Sequence, residues 1–436
     1  QAAAPAPQSA PEEEAPTPPA PPPAVARPPP RPPPAPPPRP IIVPPTKPPP
    51  PRLRPTRPPT PAPTPAPPRK WVGPPGVSRA DRAVMWAVDQ NEQNFRRLME
   101  SLFSLLHEHG SKVRTAANVP RTAFTVLAVD GSKVNCAQLR SAGLTQTCRD
   151  MDAKPQPQEA GPTRCNPHTQ SEDALWAGAV HVIRLPDAQW INIYASTVDE
   201  FARLCEIGQP QKSGIGWKRP ELIKNRANHL RFIADRIFLP WGIEQVLYLD
   251  NDICPVDAVT DLMNIRGHTA VVVAARVDEE GQVSTTYTAE NIKTSLTFVK
   301  QMRFRYSFNA GVVLFRTKAM CEYDLMGKII KVQKYHNEVR NLWRKGTNQP
   351  PFEVAAGGSI TVVDPWWNCR MLNGDISRLM EFGVGAGSPV QWFKNCKLFH
   401  PSTHGLTVAQ RNCSMFKNVR NGLARPVPGM LHKHHR

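Results

Sequence analysis

No feature restricts the folding of this chain more than its first seventy residues, which include the run "RPPPRPPPAPPPRP". Residues 1–70 hold 33 of the 52 prolines. Proline fixes φ and has no backbone N–H, so this stretch can supply neither a helix nor a sheet ladder. It is expected to be a disordered or polyproline II stalk. Proline-reading domains, proline hydroxylation or O-glycosylation are further uses for such a segment.

The rest, 71–436, is long enough for one large α/β domain or two smaller ones. The chain carries a formal charge of +18; the tail has 9 Lys or Arg against 3 Glu, which leaves +12 on the body. A basic body suits an anionic ligand: a nucleic acid, an acidic membrane surface or a nucleoside diphosphate. No RNA-binding or zinc-finger signature accompanies the charge, so no nucleic-acid partner is expected. The nine cysteines show no C-x-x-C spacing, which argues against zinc and thioredoxin-like chemistry. The count is odd, so at least one thiol is left over. Bonds among Cys136, Cys148 and Cys165 are expected in an oxidising compartment. The sequon Asn412-Cys413-Ser414 points the same way. No apolar run reaches the length of about 18 residues that a spanning helix needs. The chain starts at Gln1, and a signal or membrane anchor is expected ahead of it. The "LHKHHR" end reads as a solvated tail.

Residues 81–109 show apolar positions at helical spacing through Val84, Val88, Phe95, Leu98, Leu102 and Leu105, closed by Gly110. That is a neck helix that self-associates or a helix packed on the domain. "AFTVLAVDG" (123–131) reads as the first strand, ending at Asp130. Residues 144–172 look like a polar insert. "AVHVIRL", "WINIYAS", "VLYL", "TAVVVAA", "FNAGVVLFR" and "SITVVDPWWN" are strand-like. A helical stripe crosses 220–240, and another helix covers about 319–340. Strands alternating with helices predict α/β with a mainly parallel sheet flanked by helices. The expected division is a 1–70 stalk, a 71–120 neck and linker, a 121–415 domain and a basic 416–436 tail.

The most informative stretch is "VLYLDNDICPVD" (246–257). A nearly continuous apolar run reads as a strand covered on both faces. Asp250, Asn251 and Asp252 follow at once. Such residues make turns and cap helices. Ligands of open α/β sheets, however, bind beyond the carboxyl ends of the strands. Two carboxylates there, with no Lys or Arg among them, also make a hard oxygen site for a divalent cation.

The order "FLPWGIEQVLYLDNDI", "FNAGVVLF", "WWN" and "KLFHPSTHG" resembles glycosyltransferase family 8, the retaining sugar transferases with a GT-A nucleotide-sugar fold, over about 121–405. The resemblance implies a sugar moved from a UDP-sugar donor to a hydroxyl of a glycan or glycoprotein acceptor. It also implies a divalent ion, Mn2+ or Mg2+, held by Asp250, Asp252 and a late histidine. His400 is favoured for that role because it ends an apolar run; His404 is the other candidate. Asn251 is expected at the turn with its backbone near the ribose, and Asp130 near uracil and ribose. By the same resemblance Arg231 pairs with the diphosphate or with Asp250, or else forms a structural ion pair. Asn309 contacts the donor sugar or acceptor, and Gly311 lets the backbone approach closely.

Two departures stand out. The family's aspartate-glutamine pair is matched by Asn348-Gln349, so the acid has become an amide and Glu353 is the nearby substitute. Loss of the acid favours a front-face retaining path over a carboxylate nucleophile. The family's lysine-proline-tryptophan stretch is replaced by "GLTVAQRN", where Arg411 is the nearest cation. The resemblance also implies a Golgi or secretory location, with membrane attachment only through an anchor outside this chain. Two rivals remain: a metal-dependent phosphohydrolase or nucleotidyltransferase, which predicts further carboxylates, and a wall or matrix protein whose Pro-rich part is the functional one.

Overall fold

The computed structural model describes residues 77–110, 121–129, 131–143, 147–153, 165, 174–185, 196–207, 225–265, 271–276, 308–339, 343, 348–357, 359–371, 395–401 and 413. The chain divides into two compact units, Gln1–Pro65 and Ala66–Arg436, and every described residue belongs to the second. The expected stalk, Asp130, His404, Arg411, Asn412, most of the 144–172 insert, "WINIY" and the 416–436 tail lie outside the described residues.

In chain order the elements that frame the site are β1 (Arg82–Val88), α1 (Glu92–Gly110), β2 (Thr122–Ala128), α2 (Cys136–Ser141), β3 (Cys148–Asp152), β4 (Val180–Arg184), α3 (Ser196–Ile207), α4 (Ala234–Phe238), β5 (Gln245–Leu249), β6 (Cys254–Pro255), α5 (Thr260–Met263), β7 (Val272–Arg276), β8 (Phe308–Arg316), α6 (Thr317–Tyr323), α7 (Leu325–Val339), α8 (Gln349–Ala356), β9 (Ile360–Val363), β10 (Cys369–Met371) and β11 (Leu398–Pro401). Eight strands form one sheet in the order β3-β4-β2-β1-β5-β8-β7-β9, and β10-β11-β6 form a second. In the large sheet β8 runs antiparallel to both of its neighbours, and every other pairing is parallel. The mixed α/β class with a mostly parallel sheet, expected from the alternation of elements, is what the chain forms.

The first strand of that sheet corrects the reading of 81–109. Residues 82–88 are a central strand paired with β2 on one side and β5 on the other. Helix begins only at Glu92, where Asn91 Oδ1 accepts from the N–H groups of Gln93 and Asn94. "AVMWAV" is apolar throughout, so it satisfies a helical spacing and a strand spacing alike. Burial on both sides decides it. Ala83, Met85 and Ala87 enter the core on one face, with Phe201, Leu230 and Ile237. Val84, Trp86 and Val88 enter the other, with Leu98, Leu102 and Leu105 of α1. Trp86 Nε1 donates to Ser101 Oγ of α1 at 3.0 Å. The apolar residues read as a neck are therefore spent within the domain. The sheet starts at Arg82 rather than after 120, and "AFTVLAV" is its second strand in chain order.

Other readings shift more locally. The stripe over 220–240 becomes a 3-10 stretch, Arg226–Ile233, followed by α4 and a 3-10 turn at Leu239–Trp241. Gly242, at φ 69°, stops it. The helix read over 319–340 is broken at Asp324, which takes φ 52°. Part of the polar insert forms β3 at the sheet edge. Cys136 bonds Cys148 as expected, but Cys165 bonds Cys321. Two further bonds join Cys254 to Cys413 and Cys369 to Cys396, leaving Cys205 as the buried cysteine outside any disulfide. Among the described residues no helix is long and apolar enough to cross a membrane.

Candidate active site

From β1 the chain moves to one side of the sheet for β2, while β5 lies on the other side of β1. That reversal of order opens a crevice at the carboxyl ends of the two strands. Asp250, Asn251 and Asp252 follow β5 directly. Asp250 N–H donates to Gly311 C=O at 2.8 Å, and Ile253 N–H to Asp250 C=O at 3.0 Å, which closes the turn. The chain then enters β6, which pairs antiparallel with β11 so that Cys254 faces Phe399. His400 is the next residue on β11. The small sheet thus brings a distant histidine to the two acids.

One ligand atom from each of Asp250, Asp252 and His400 lies within 4.8 Å of the others. His400 Nε2 is 3.4 Å from Asp252 Oδ1. Gly311, on the facing strand β8, leaves room beside them. A Cβ there would lie 2.6 Å from His400 Cε1, 2.7 Å from Asp250 Oδ2 and 2.8 Å from Asn309 Oδ1. Two carboxylates and an imidazole, with Asp250 and His400 beside a position that a methyl group would fill, are a donor set that suits a divalent ion.

Each acid has a different support. Asp250 Oδ1 accepts from Arg231 Nη1 at 2.9 Å and from Tyr248 Oη at 2.5 Å. Arg231 also donates to Ala310 C=O at 3.2 Å. Its side chain is 7% exposed against 29% for Asp250, so the acid reaches solvent and the arginine does not. Burial works against the Arg231 charge, but Tyr248 and Asp250 beside it outweigh burial and hold its pKa up. Burial first, and then Asp250, push the Tyr248 hydroxyl well above its ordinary range, so it stays a donor. For Asp252, burial would raise the pKa, yet the charge of His400, its hydrogen bond and the charge of Arg97 on α1 bring it down.

Asn251 turns its side chain away from the acids: Nδ2 donates to Ala87 C=O at 2.8 Å and ties the turn to the end of β1. Asn309 Oδ1 accepts from Gly311 N–H at 2.8 Å. Its Nδ2 is 3.5 Å from Gln349 Oε1. Gln349 starts α8 and is tied to β8 by Phe308 C=O at 2.9 Å and Ala310 N–H at 3.3 Å. It also donates to Glu353 Oε1 at 3.0 Å. Glu353 is 1% exposed, one helical turn behind Gln349, and is not at the open face of the crevice.

The structure adds Tyr248, Arg97 and Asp89, to which the sequence reading gave no role, and gives a contact to Asn368, the asparagine of "WWN". Tyr248 and Arg97 support the acids. Asn368 Oδ1 lies 3.0 Å from His400 Nδ1. Asp89 follows β1 as Asp250 follows β5, and accepts from Asn225 Nδ2 at 2.5 Å and Asn94 Nδ2 at 3.1 Å. An acid after an apolar run was the available signal for Asp89; reading 81–109 as helix hid it.

Residues 190–382 match the sequence model of the family described as Glycosyl transferase family 8. They include Asp250, Asp252, Gly311 and Asn368, whereas β1 and His400 join the site through the two sheets. A curated relative, "Probable galacturonosyltransferase-like 2" of Arabidopsis thaliana, is 32% identical over 148 residues, which are 33% of this chain and 42% of that protein. This chain therefore spans less than half the length of that relative. Similar solved structures include a galactosyltransferase, LgtC, with donor and acceptor sugar analogs, at 12% identity and a TM-score of 0.42, over 80% of this chain and 98% of that one. Mouse xyloside xylosyltransferase 1 is similar at 16% identity and 0.40, over 74% of this chain and 98% of that one. Residues 190–382 are thus similar in sequence to glycosyl transferase family 8.

Proposed function

We propose that this domain moves a sugar from a UDP-sugar to a hydroxyl of a glycan or glycoprotein, with retention, using Mn2+ or Mg2+ held by Asp250, Asp252 and His400. The observation that carries the reading is the convergence of these three side chains within 4.8 Å of one another, with Asp250 and His400 against Gly311. A bound divalent ion supplies Lewis acidity toward the negative charge that develops on the departing diphosphate. The chain's own residues do the rest. Arg231 and Tyr248 occupy Oδ1 of Asp250 and leave Oδ2 toward Gly311. The crevice over β1 and β5 takes the nucleoside, with Asp130 following β2 as a further contact. Asn309 and Gln349, locked to β8, present amides to the sugar or acceptor. A front-face path fits the amides at Asn348-Gln349 and the enclosure of Glu353.

Four disulfides fit a lumenal compartment of the secretory pathway. In this reading the Pro-rich residues 1–70 serve as a stalk. A phosphohydrolase would call for more carboxylates, whereas the cluster among the described residues has two. The test is manganese-dependent hydrolysis and transfer from a panel of UDP-sugars that includes UDP-galacturonic acid. Turnover of one of them that stops with a chelator is expected. Metal-independent turnover, or none across the panel, removes the reading.

A further inference from the structure

We propose that Asn368 is a positioning residue that holds His400 in the tautomer with hydrogen on Nδ1, and so keeps the lone pair of Nε2 for the metal; this rests on the metal reading of the site given above. The chain of hydrogen bonds that sets the tautomer starts at backbone groups, whose roles are unambiguous. Asn368 Nδ2 lies 3.4 Å from Asn309 C=O, which can only accept. The same nitrogen lies 3.2 Å from Asn309 Oδ1. That atom must be the amide oxygen, because Gly311 N–H donates to it at 2.8 Å. Asn368 therefore turns its nitrogen to β8 and its oxygen to His400 Nδ1, 3.0 Å away. An oxygen there only accepts, so Nδ1 must bear the hydrogen. The tautomer of a ligating histidine is set in this way by what its other nitrogen meets.

The fold holds this arrangement from both sides. Asn368 is buried and directly precedes β10, which pairs with β11 so that Arg370 lies opposite His400. The disulfide Cys369–Cys396 joins the residue after Asn368 to the approach to β11. Nε2 is left on the side of Asp252 Oδ1, 3.4 Å away, and with hydrogen fixed on Nδ1 it is the nitrogen whose proton a bound cation would replace. Asn368 thus carries information from the large sheet, through Asn309, to the histidine of the small one.

Two readouts test this on the full chain without donor or turnover. Mn2+ affinity is measured by electron paramagnetic resonance titration for wild type, Asn368→Leu, Asn368→Asp, His400→Ala and the double variant His400→Ala/Asn368→Leu. Asn368→Leu should weaken binding about 10- to 100-fold. Asn368→Asp should stay closer to wild type, because a carboxylate also accepts from Nδ1–H. With His400 already replaced, Asn368→Leu should add no further loss. Long-range 15N–1H correlation on histidine-labelled protein, assigned with His400→Ala, should show hydrogen on Nδ1 in wild type and its loss from Nδ1 in Asn368→Leu. Equal losses with and without His400, or a bare Nδ1 in wild type, overturn the proposal. If Asn368→Leu does not fold, the wild-type tautomer and Asn368→Asp still decide it. A wild-type protein that binds no Mn2+ sinks the metal reading itself. Mn2+ binding with a bare Nδ1 sinks only the role of Asn368.

Discussion

Arg231 and Asp250 meet at 2.9 Å with the arginine buried and the acid partly open, so the pair anchors Asp250 while its second oxygen is spared. The two aspartates of the turn are therefore not equivalent. One is held by donors from the core, and the other faces His400.

This asymmetry predicts different costs for the same substitution. Asp250→Asn leaves the buried Arg231 without its counter-charge and weakens two hydrogen bonds. It should lower stability by about 2 kcal/mol. Asp252→Asn, which keeps the shape of the side chain but loses the attraction of His400 and Arg97, should cost less, about 1 kcal/mol. Both should abolish metal-dependent transfer. Chemical denaturation of the two variants, beside turnover assays, decides it; a larger stability loss for Asp252→Asn would contradict the arrangement of donors around Asp250.

Gly311→Ala should impair the site more than it unfolds the protein. The added methyl meets His400, Asp250 and Asn309 at less than ordinary contact distance. Overpacking of this kind costs about 1–3 kcal/mol, and the groups that must give way are the proposed ligands. The Mn2+ concentration for half-maximal activity should rise steeply while the circular dichroism spectrum stays native. Unchanged metal demand would show that the space beside Gly311 is not where the ion sits.

The disulfide Cys369–Cys396 closes 27 residues of sequence beside Asn368 and His400. Replacing both cysteines by serine should cost about 3.5 kcal/mol by the loop-closure argument. It should also weaken Mn2+ binding, because β10 and β11 then lose a covalent tie near the ligand. Equilibrium unfolding under non-reducing conditions and a metal titration of the same variant test the two parts separately.

His181 makes acid stability a readout of the sheet. It lies buried on β4, where Nε2 accepts from Trp176 N–H at 2.9 Å. Burial lowers its pKa to about 4, with the hydrogen bond to Trp176 and the charge of Arg149 as further influences. The unfolded chain takes up a proton near pH 6.5, as a free imidazole does. Between those values the unfolded state binds more protons, so stability falls as pH drops from about 6.5 to about 4. Wild type should lose up to about 1.4 kcal/mol per pH unit there through this group. In His181→Gln that contribution should vanish, which denaturation at several pH values will measure. A slope unchanged by the substitution would mean that other groups carry the acid response.

Local signals determined a good deal of this protein. "VLYLDND" and "FNAGVVLF" are apolar runs ended or opened by polar groups, and both became β5 with its turn and β8 at the positions read. The α/β alternation also follows from local pattern, because helix and strand periods are written in neighbouring residues. The resemblance to family 8 rests on the same stretches.

What the sequence left open was settled by contacts between residues far apart in the chain. "AVMWAV" is a strand because β2 and β5 flank it and both of its faces are buried, a fact about neighbours that no local period encodes. Cys165 bonds Cys321 because packing brings α6 to it, and pairing rules cannot choose among nine cysteines. His400 reaches the acids because β11 aligns with β6 in one register, and Asn368 reaches His400 because β10 aligns with β11. Register is fixed by the packing of whole sheets, and a shift of one residue would turn each of these side chains to the other face.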